Sequence, residues 1–198
     1  MSKYLPRIAI GVVAGFVMYY LMSLISGPDL QSVLIGVFGA VAVAGILINL
    51  AGNRRLAVAG AAEKAAALAL TPPAGKALLV VARRGYLAKL VGLNLSLDGQ
   101  LFTQLKSPAF TILEVAPGAH TLATGFGDAT GAQGRAATFP FEAAAGGVVA
   151  VVVTPSIGTF KFAPQTDLDA LRRALRGMPM VLPETAPAPA APAAAPAA

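Results

Sequence analysis

The chain has no cysteine and no tryptophan, a single histidine, and charged side chains at only 12% of its 198 positions. Without cysteine there are no disulfides, no thiolate metal sites and no lipid-bearing N-terminal cysteine. One histidine among scattered carboxylates makes no metal-ligand set, so no metal or other cofactor is expected. Without tryptophan, Tyr4, Tyr19 and Tyr20 are left to mark a membrane interface. The scarcity of charge says most. Ordinary globular chains are near a quarter charged. This one is 56% hydrophobic, so part of it belongs in lipid. The remaining charge is lopsided, with a net of +6 and an isoelectric point near 10.0. That balance suits anionic lipid or nucleic acid. Nucleic acid is not expected, because the basic residues are not interleaved with exposed aromatics.

Two uncharged runs open the chain. Residues 8–26 read IAIGVVAGFVMYYLMSLIS and residues 30–50 read LQSVLIGVFGAVAVAGILINL, with the turn tripeptide GPD between them. Each is about long enough to cross a ~30 Å hydrocarbon core as a helix, which predicts a transmembrane hairpin over residues 1–52. A cleaved signal peptide is the alternative for the first run, with Lys3 and Arg7 as its basic flank. The apolar run is longer than such a core, and a second span follows at once. Lys3 and Arg7 precede the first span, Arg54 and Arg55 follow the second, and the loop holds only Asp29. The excess of Lys and Arg at both ends puts both termini and everything after residue 52 in the cytoplasm. Gly11 and Gly15 form a GxxxG, and Gly36, Ala40 and Ala44 keep the same spacing in the second span. Small residues four apart let helix backbones approach closely. Packing within the hairpin and self-association both remain open on this pattern.

Beyond the spans, RRLAVAGAAEKAAALAL predicts a helical stalk, because alanine is the best helix former, and TPPAG ends it. Residues 53–75 therefore read as stalk and linker. From Lys76 to residue 163 the pattern becomes short runs between turn signals, which argues for an antiparallel sandwich of about seven to eight strands. KLVGLNLSL alternates, with Leu93, Leu95 and Leu97 on one face and Asn94 and Ser96 on the other. Asp98-Gly99 is a hairpin turn, since both residues tolerate positive φ. Pro117-Gly118 suits a type II turn. VVAVVV reads as a central, fully buried strand.

Catalytic chemistry is not in view. His120 sits beside a turn on a face with Leu122 and reads as structural. Asp98, Glu114, Asp128 and Glu142 lie on different segments and form no recognisable acid–base pair. GDATGAQG has glycines but neither GK[ST] nor a following helix, and reads as a hairpin loop. The chain is not expected to be an enzyme.

LDGQ, a short strand, SPAF and then VAPGAHTL resemble the PEGA domain and its relatives, small bacterial β-sandwiches of transthyretin-like architecture. A closer likeness is to an uncharacterised bacterial family (domain of unknown function 2846 type) with the same order and a short terminal helix. The likeness covers roughly residues 76–176, a domain-sized piece. It implies a bacterial sandwich with no catalytic residues to carry over. Such domains are often exported or lipid-anchored, whereas this chain carries two spans and no lipid-bearing cysteine.

Residues 164–177 predict an amphipathic helix with Thr166 as N-cap. Arg172, Arg173 and Arg176 share its polar face, either solvated or in contact with an anionic surface. Residues 178–198 read as a Pro/Ala-rich disordered tail. The functional expectation is a non-enzymatic, multi-pass interaction or scaffold module in the bacterial cytoplasmic membrane. The alternative is an accessory subunit of a larger membrane complex that assembles through the small-residue helix faces. The implied partners are the bilayer and protein in or at the membrane, including a second copy of the chain. An exported domain is the alternative placement.

Overall fold

The structure, a computed structural model, describes residues 5–128, 131–132 and 136–184. Tyr4, part of the GDATGAQG loop and residues 185–198 of the predicted tail lie outside the described residues. The chain divides into two units, Met1–Asn53 and Arg54–Ala198.

The first unit is a pair of helices, α1 (Leu5–Ser26) and α2 (Leu30–Ala51). Both are long and apolar enough to cross a membrane. They match the predicted spans, with α1 starting three residues earlier. Gly27 takes φ +86° to leave α1. Asp29 caps α2, its carboxylate accepting from the Ser32 N–H at 2.7 Å. Two residues of turn chemistry thus reverse the chain.

The second unit opens with an extended segment and one short helix, α3 (Ala61–Ala67). Nine strands follow among the described residues: β1 (Ala77–Arg83), β2 (Leu93–Leu97), β3 (Gln100–Leu105), β4 (Ala109–Val115), β5 (Gly118–Asp128), β6 (Gly131–Ala132), β7 (Ala137–Ala143), β8 (Val148–Ser156) and β9 (Thr159–Pro164). A last helix, α4 (Leu168–Arg176), completes it. β6 has only two residues, so eight full-length strands remain, as the turn spacing predicts. One sheet has the order β4-β1-β8-β9 and the other runs β3-β2-β5, with β6 and β7 both paired to β5. Between the sheets lies one core, including Leu79, Val81, Leu93, Leu95, Leu97, Phe102 and Leu122. A second core, with Val80, Phe110, Leu171 and Leu175, lies between the four-stranded sheet and α3–α4. Residues of β1 alternate between the two, which is why all seven are buried.

Several expectations are corrected. The sandwich is not wholly antiparallel, because β1 and β8 pair in parallel, Leu78 with Val148 through Arg83 with Val153. The VVAVVV strand, β8, is internal but only half-buried, and β1 is the fully buried one. The stalk does not form. Its segment is helical only over seven residues, and Leu56, Leu68 and Leu70 pack into the two cores. Leu70 is buried and Leu56 and Leu68 partly so, and this burial, worth roughly 1.5–3 kcal/mol for a fully buried leucine, outweighs the fraction of a kcal/mol per residue that alanine contributes to a solvated helix. The N-cap of α4 is Asp167, which accepts from the N–H groups of Asp169 and Ala170, rather than Thr166.

The largest correction concerns residues 178–184, expected as the start of a disordered tail. They form a strap across the open side of the sandwich. Phe110 of β4 donates its N–H to Pro179 and accepts from Val181, while Glu184 donates to the Phe102 carbonyl of β3. The strap thus joins one edge strand of each sheet. Residues 57–59 back it, Ala59 donating to Met180 and Leu182 to Ala57. Val181 enters the inter-sheet core, and Glu184 pairs with Arg54 at 2.6 Å. On the opposite side the sheets are closed by phenylalanines, Phe139 against Phe162 at 5.5 Å and Phe126 against Phe160 at 5.1 Å.

Candidate functional site

The predicted small-residue stripe is the seam of the hairpin. Gly11 lies against Ala44 and the Ala40 carbonyl, and Gly15 against Ala40 and the Gly36 carbonyl. Gly36 in turn lies against Tyr19. A Cβ on Gly15 would come within 2.5 Å of both Ala40 Cβ and Gly36 O. All five predicted packing residues therefore meet each other, and the hairpin uses the face that self-association would need.

Asp98 and Gly99 take φ +50° and +82°, the two positive values of a type I′ hairpin turn. Leu97 pairs with Gln100 across it. Pro117 and Gly118 do something other than make a hairpin, since they carry the chain from β4 in one sheet to β5 in the other. Gly118 has φ +130°, beyond the ~+80° of a type II turn, and it already pairs with Ala143 as a strand residue.

Asp98 also does more than turn the chain. One carboxylate oxygen accepts from the Thr121 N–H at 2.8 Å, and the other lies 2.6 Å from His120 Nδ1. His120 Nε2 is 2.8 Å from the Ala116 carbonyl. The ring lies 5.6 Å from that of Phe141, and the side chain is 13% exposed. Both ring nitrogens face acceptors, so the imidazolium donates twice where the neutral ring donates once. Burial pulls the His120 pKa down, but the Asp98 hydrogen bond, the Ala116 carbonyl and the charges of Asp98 and Glu142 outweigh it, and the net direction is up. The pin joins the β2–β3 turn to the crossover before β5, and it is structural in geometry. A histidine whose folded pKa lies above its unfolded value of about 6.5 contributes stability that is complete below that value. The contribution is lost as pH rises through the folded pKa. Thermal melts of the full chain should therefore weaken as pH rises from below the unfolded value, and His120→Gln should flatten that dependence. As the only histidine it gives a single proton-resonance titration, and a midpoint at or below the unfolded value would refute the pin.

At the other end of the sandwich stands a residue that strand periodicity concealed. Arg83 closes β1 with no solvent exposure. Its Nη1 donates to the carbonyls of Val91 at 2.6 Å and Leu105 at 2.5 Å, and its Nη2 to that of Ala88 at 2.7 Å. The guanidinium carbon lies 5.6 Å from the Phe126 ring, and Nε is buried without a partner. Burial pulls its pKa down to about 10, so it is still a cation at neutral pH. Three backbone carbonyls in place of a carboxylate shape the loop over residues 84–92 around this charge. The Ser107 hydroxyl ties the same loop by donating to the Gly85 carbonyl at 2.7 Å.

The predicted arginine face divides. Arg172 is half-buried, donating to Asp169 at 2.8 Å and to the Ala69 carbonyl at 2.9 Å, so it braces α4 against the end of α3. Arg173 and Arg176 are exposed. Leu171 and Leu175 face the sheet, as the amphipathic pattern requires. Among the described residues no cluster of His, Cys, Asp or Glu could hold a metal. No family model matches this chain, and no curated protein does.

Proposed function

We propose that the chain is a membrane-anchored, non-enzymatic interaction module, with the hairpin as anchor and the sandwich as binding domain on the cytoplasmic side. The observation that carries this reading is the pairing of two lipid-length helices with a β-domain in which, among the described residues, the main charged clusters serve the fold: Asp98–His120 pins a turn, Arg83 shapes a loop and Arg54–Glu184 fastens the strap. The resemblance of LDGQ, SPAF and VAPGAHTL to PEGA-like sandwiches brings no catalytic residues with it, which supports the non-enzymatic reading. Binding falls to loops rather than strand edges. The strap covers β3 and β4, and the remaining edges carry Pro140 on β7 and Lys161 on β9, both of which discourage strand addition. The accessory-subunit reading loses its main support, since the small-residue face packs within the hairpin.

Placement on the cytoplasmic side rests on the basic flanks and an outer loop with only Asp29. Protease added to intact spheroplasts should leave the β-domain whole, and digestion should follow permeabilisation. Cleavage without permeabilisation would overturn the topology. Chemical cross-linking in the intact membrane, followed by mass spectrometry, should capture partners through loops of the β-domain. Cross-links confined to the helices would favour the accessory-subunit reading.

A further inference from the structure

The Arg83 end of the sandwich differs from the rest of its surface. Tyr86 is 91% exposed, Ile157 93%, Leu90 68% and Leu87 47%. Among the described residues of the second unit, Val58 is the only other large apolar side chain so exposed. These four belong together. β1 and β8 run parallel, so the loop after β1 and the turn after β8 emerge at one end. Arg84 donates its N–H to the Val153 carbonyl at 3.1 Å, and a Cβ on Gly85 would sit 3.0 Å from the Thr154 methyl. Exposed large apolar residues scattered singly need no explanation, but a group of them marks a contact surface.

The same end is basic. Arg84, Lys89 and Lys106 are exposed, and no described carboxylate pairs with them. Residues 83–92 and 104–109 contain no acid. The chain also enters the β-domain here. The Arg54 N–H donates to Gln104 Oε1 at 2.8 Å, and the Gln104 side chain occupies the space that a Cβ on Gly92, at the end of the loop, would need. Arg54 follows the last residue of α2, Ala51, by three positions. At ~3.3–3.6 Å per residue, covalent reach alone holds it within about 10 Å of that helix end.

We propose that this end of the β-domain seats on the bilayer that holds α1 and α2. Tyr86, Leu87, Leu90 and Ile157 enter the headgroup–acyl boundary, and Arg84, Lys89 and Lys106 meet anionic headgroups. The proposal rests on reading α1 and α2 as membrane-spanning. Apolar side chains ringed by Lys and Arg are what an interface-lying surface requires. The amphipathic ring of tyrosine suits the headgroup level, and each basic residue near an anionic surface adds about fivefold to binding. The Arg83 cation fixes the loop backbone beforehand, so little order has to be gained on contact. Lipid is the occupant because the anchor already holds this end beside a bilayer, and the basic residues match its charge.

The absence of native cysteine makes the test direct. Full-length protein carrying a single cysteine at Leu87→Cys, Ile157→Cys, Gln100→Cys or Phe16→Cys is labelled with an environment-sensitive fluorophore. It is then reconstituted in phosphatidylcholine–phosphatidylglycerol bilayers containing spin-labelled lipid. Gln100 lies at the opposite end of β2 and β3, and Phe16 is an exposed position of α1. The labels at 87 and 157 should be quenched at least about twofold more than the label at 100. Combining Arg84→Gln, Lys89→Gln and Lys106→Gln should return them towards that control. Labels at 87 and 157 that match 100 while the label at 16 is quenched would overturn the proposal and leave the anchor intact. An unquenched label at 16 would overturn the anchor reading, and the proposal with it. Labels at 87 and 157 shielded from water but unquenched would mean that protein covers this end, which also overturns it.

Discussion

Replacing Arg83 with leucine should destabilise the β-domain by about 1–3 kcal/mol, the cost of leaving a buried acceptor without its donor. Two effects oppose each other. Leucine removes a cation that folding takes out of water, which favours the variant. It also leaves the carbonyls of Ala88, Val91 and Leu105 without the donor that satisfied them. The bonds to Ala88 and Val91 are only partly buried, so water can replace the donor there. The bond to Leu105 is fully buried, and an unsatisfied group in that position costs about 1–3 kcal/mol by itself. Leucine also cannot fill the guanidinium volume beside Phe126, so a cavity cost adds to the loss. The loss of donors and packing should win. Arg83→Lys keeps a charge but offers one point donor where a planar fork reaches three carbonyls, and should lie between the two. Denaturant melts of the detergent-solubilised chain would measure this. Limited trypsin digestion would show the accompanying dynamics as faster cleavage at Arg84 and Lys89. An unchanged midpoint together with an unchanged cleavage rate would sink the account.

Arg83 also shows where sequence reading stops. In ALLVVAR it is the last residue of an apolar run, where a charged side chain reads as the solvated end of a strand. Its burial follows from three partners, at positions 88, 91 and 105, that nothing local connects to it. The parallel pairing of β1 with β8 is hidden for the same reason. Runs 65 or more residues apart carry no shared turn signal, whereas Asp98-Gly99 announces the β2–β3 hairpin in two residues. The strap over residues 178–184 mixes methionine, proline, valine and leucine with no period, and its order comes from two sheet edges that only exist once the sandwich has formed. The alanine-rich 61–70 run failed in the other direction. Its helix propensity is real, but tertiary burial of Leu68 and Leu70 decides the outcome. Of the polar residues, Asp98 was legible as a turn former, while its contact with His120 depends on β2 and β5 being neighbours. The hairpin seam was the most legible feature, because spacing along a helix fixes which residues share a face. What spacing left open was whether that face meets its own partner helix or another copy.

That choice yields the other large effect. Gly15→Leu should pry α1 from α2. A Cβ there would come within 2.5 Å of Ala40 Cβ and of the Gly36 carbonyl, and within 3.0 Å of Ala40 Cα. Two of these three atoms are backbone, so no rotamer change relieves the overlap. The helices must separate, and the contacts of Gly11 with Ala44 and of Gly36 with Tyr19 loosen with them. In lipid no hydrophobic force pulls the helices back, since acyl chains are as apolar as the side chains they replace. Overpacking of this kind costs about 1–3 kcal/mol. Gly45→Leu is the control, since a Cβ on Gly45 meets nothing within 4 Å. Spin labels on cysteines introduced at the exposed positions Val13 and Val41 would report the separation by double electron–electron resonance. The distance should lengthen and broaden in Gly15→Leu and stay unchanged in Gly45→Leu. An unchanged distance in Gly15→Leu would mean that the seam does not hold the hairpin. The small-residue face would then be free to meet a second copy, and the self-association reading would return.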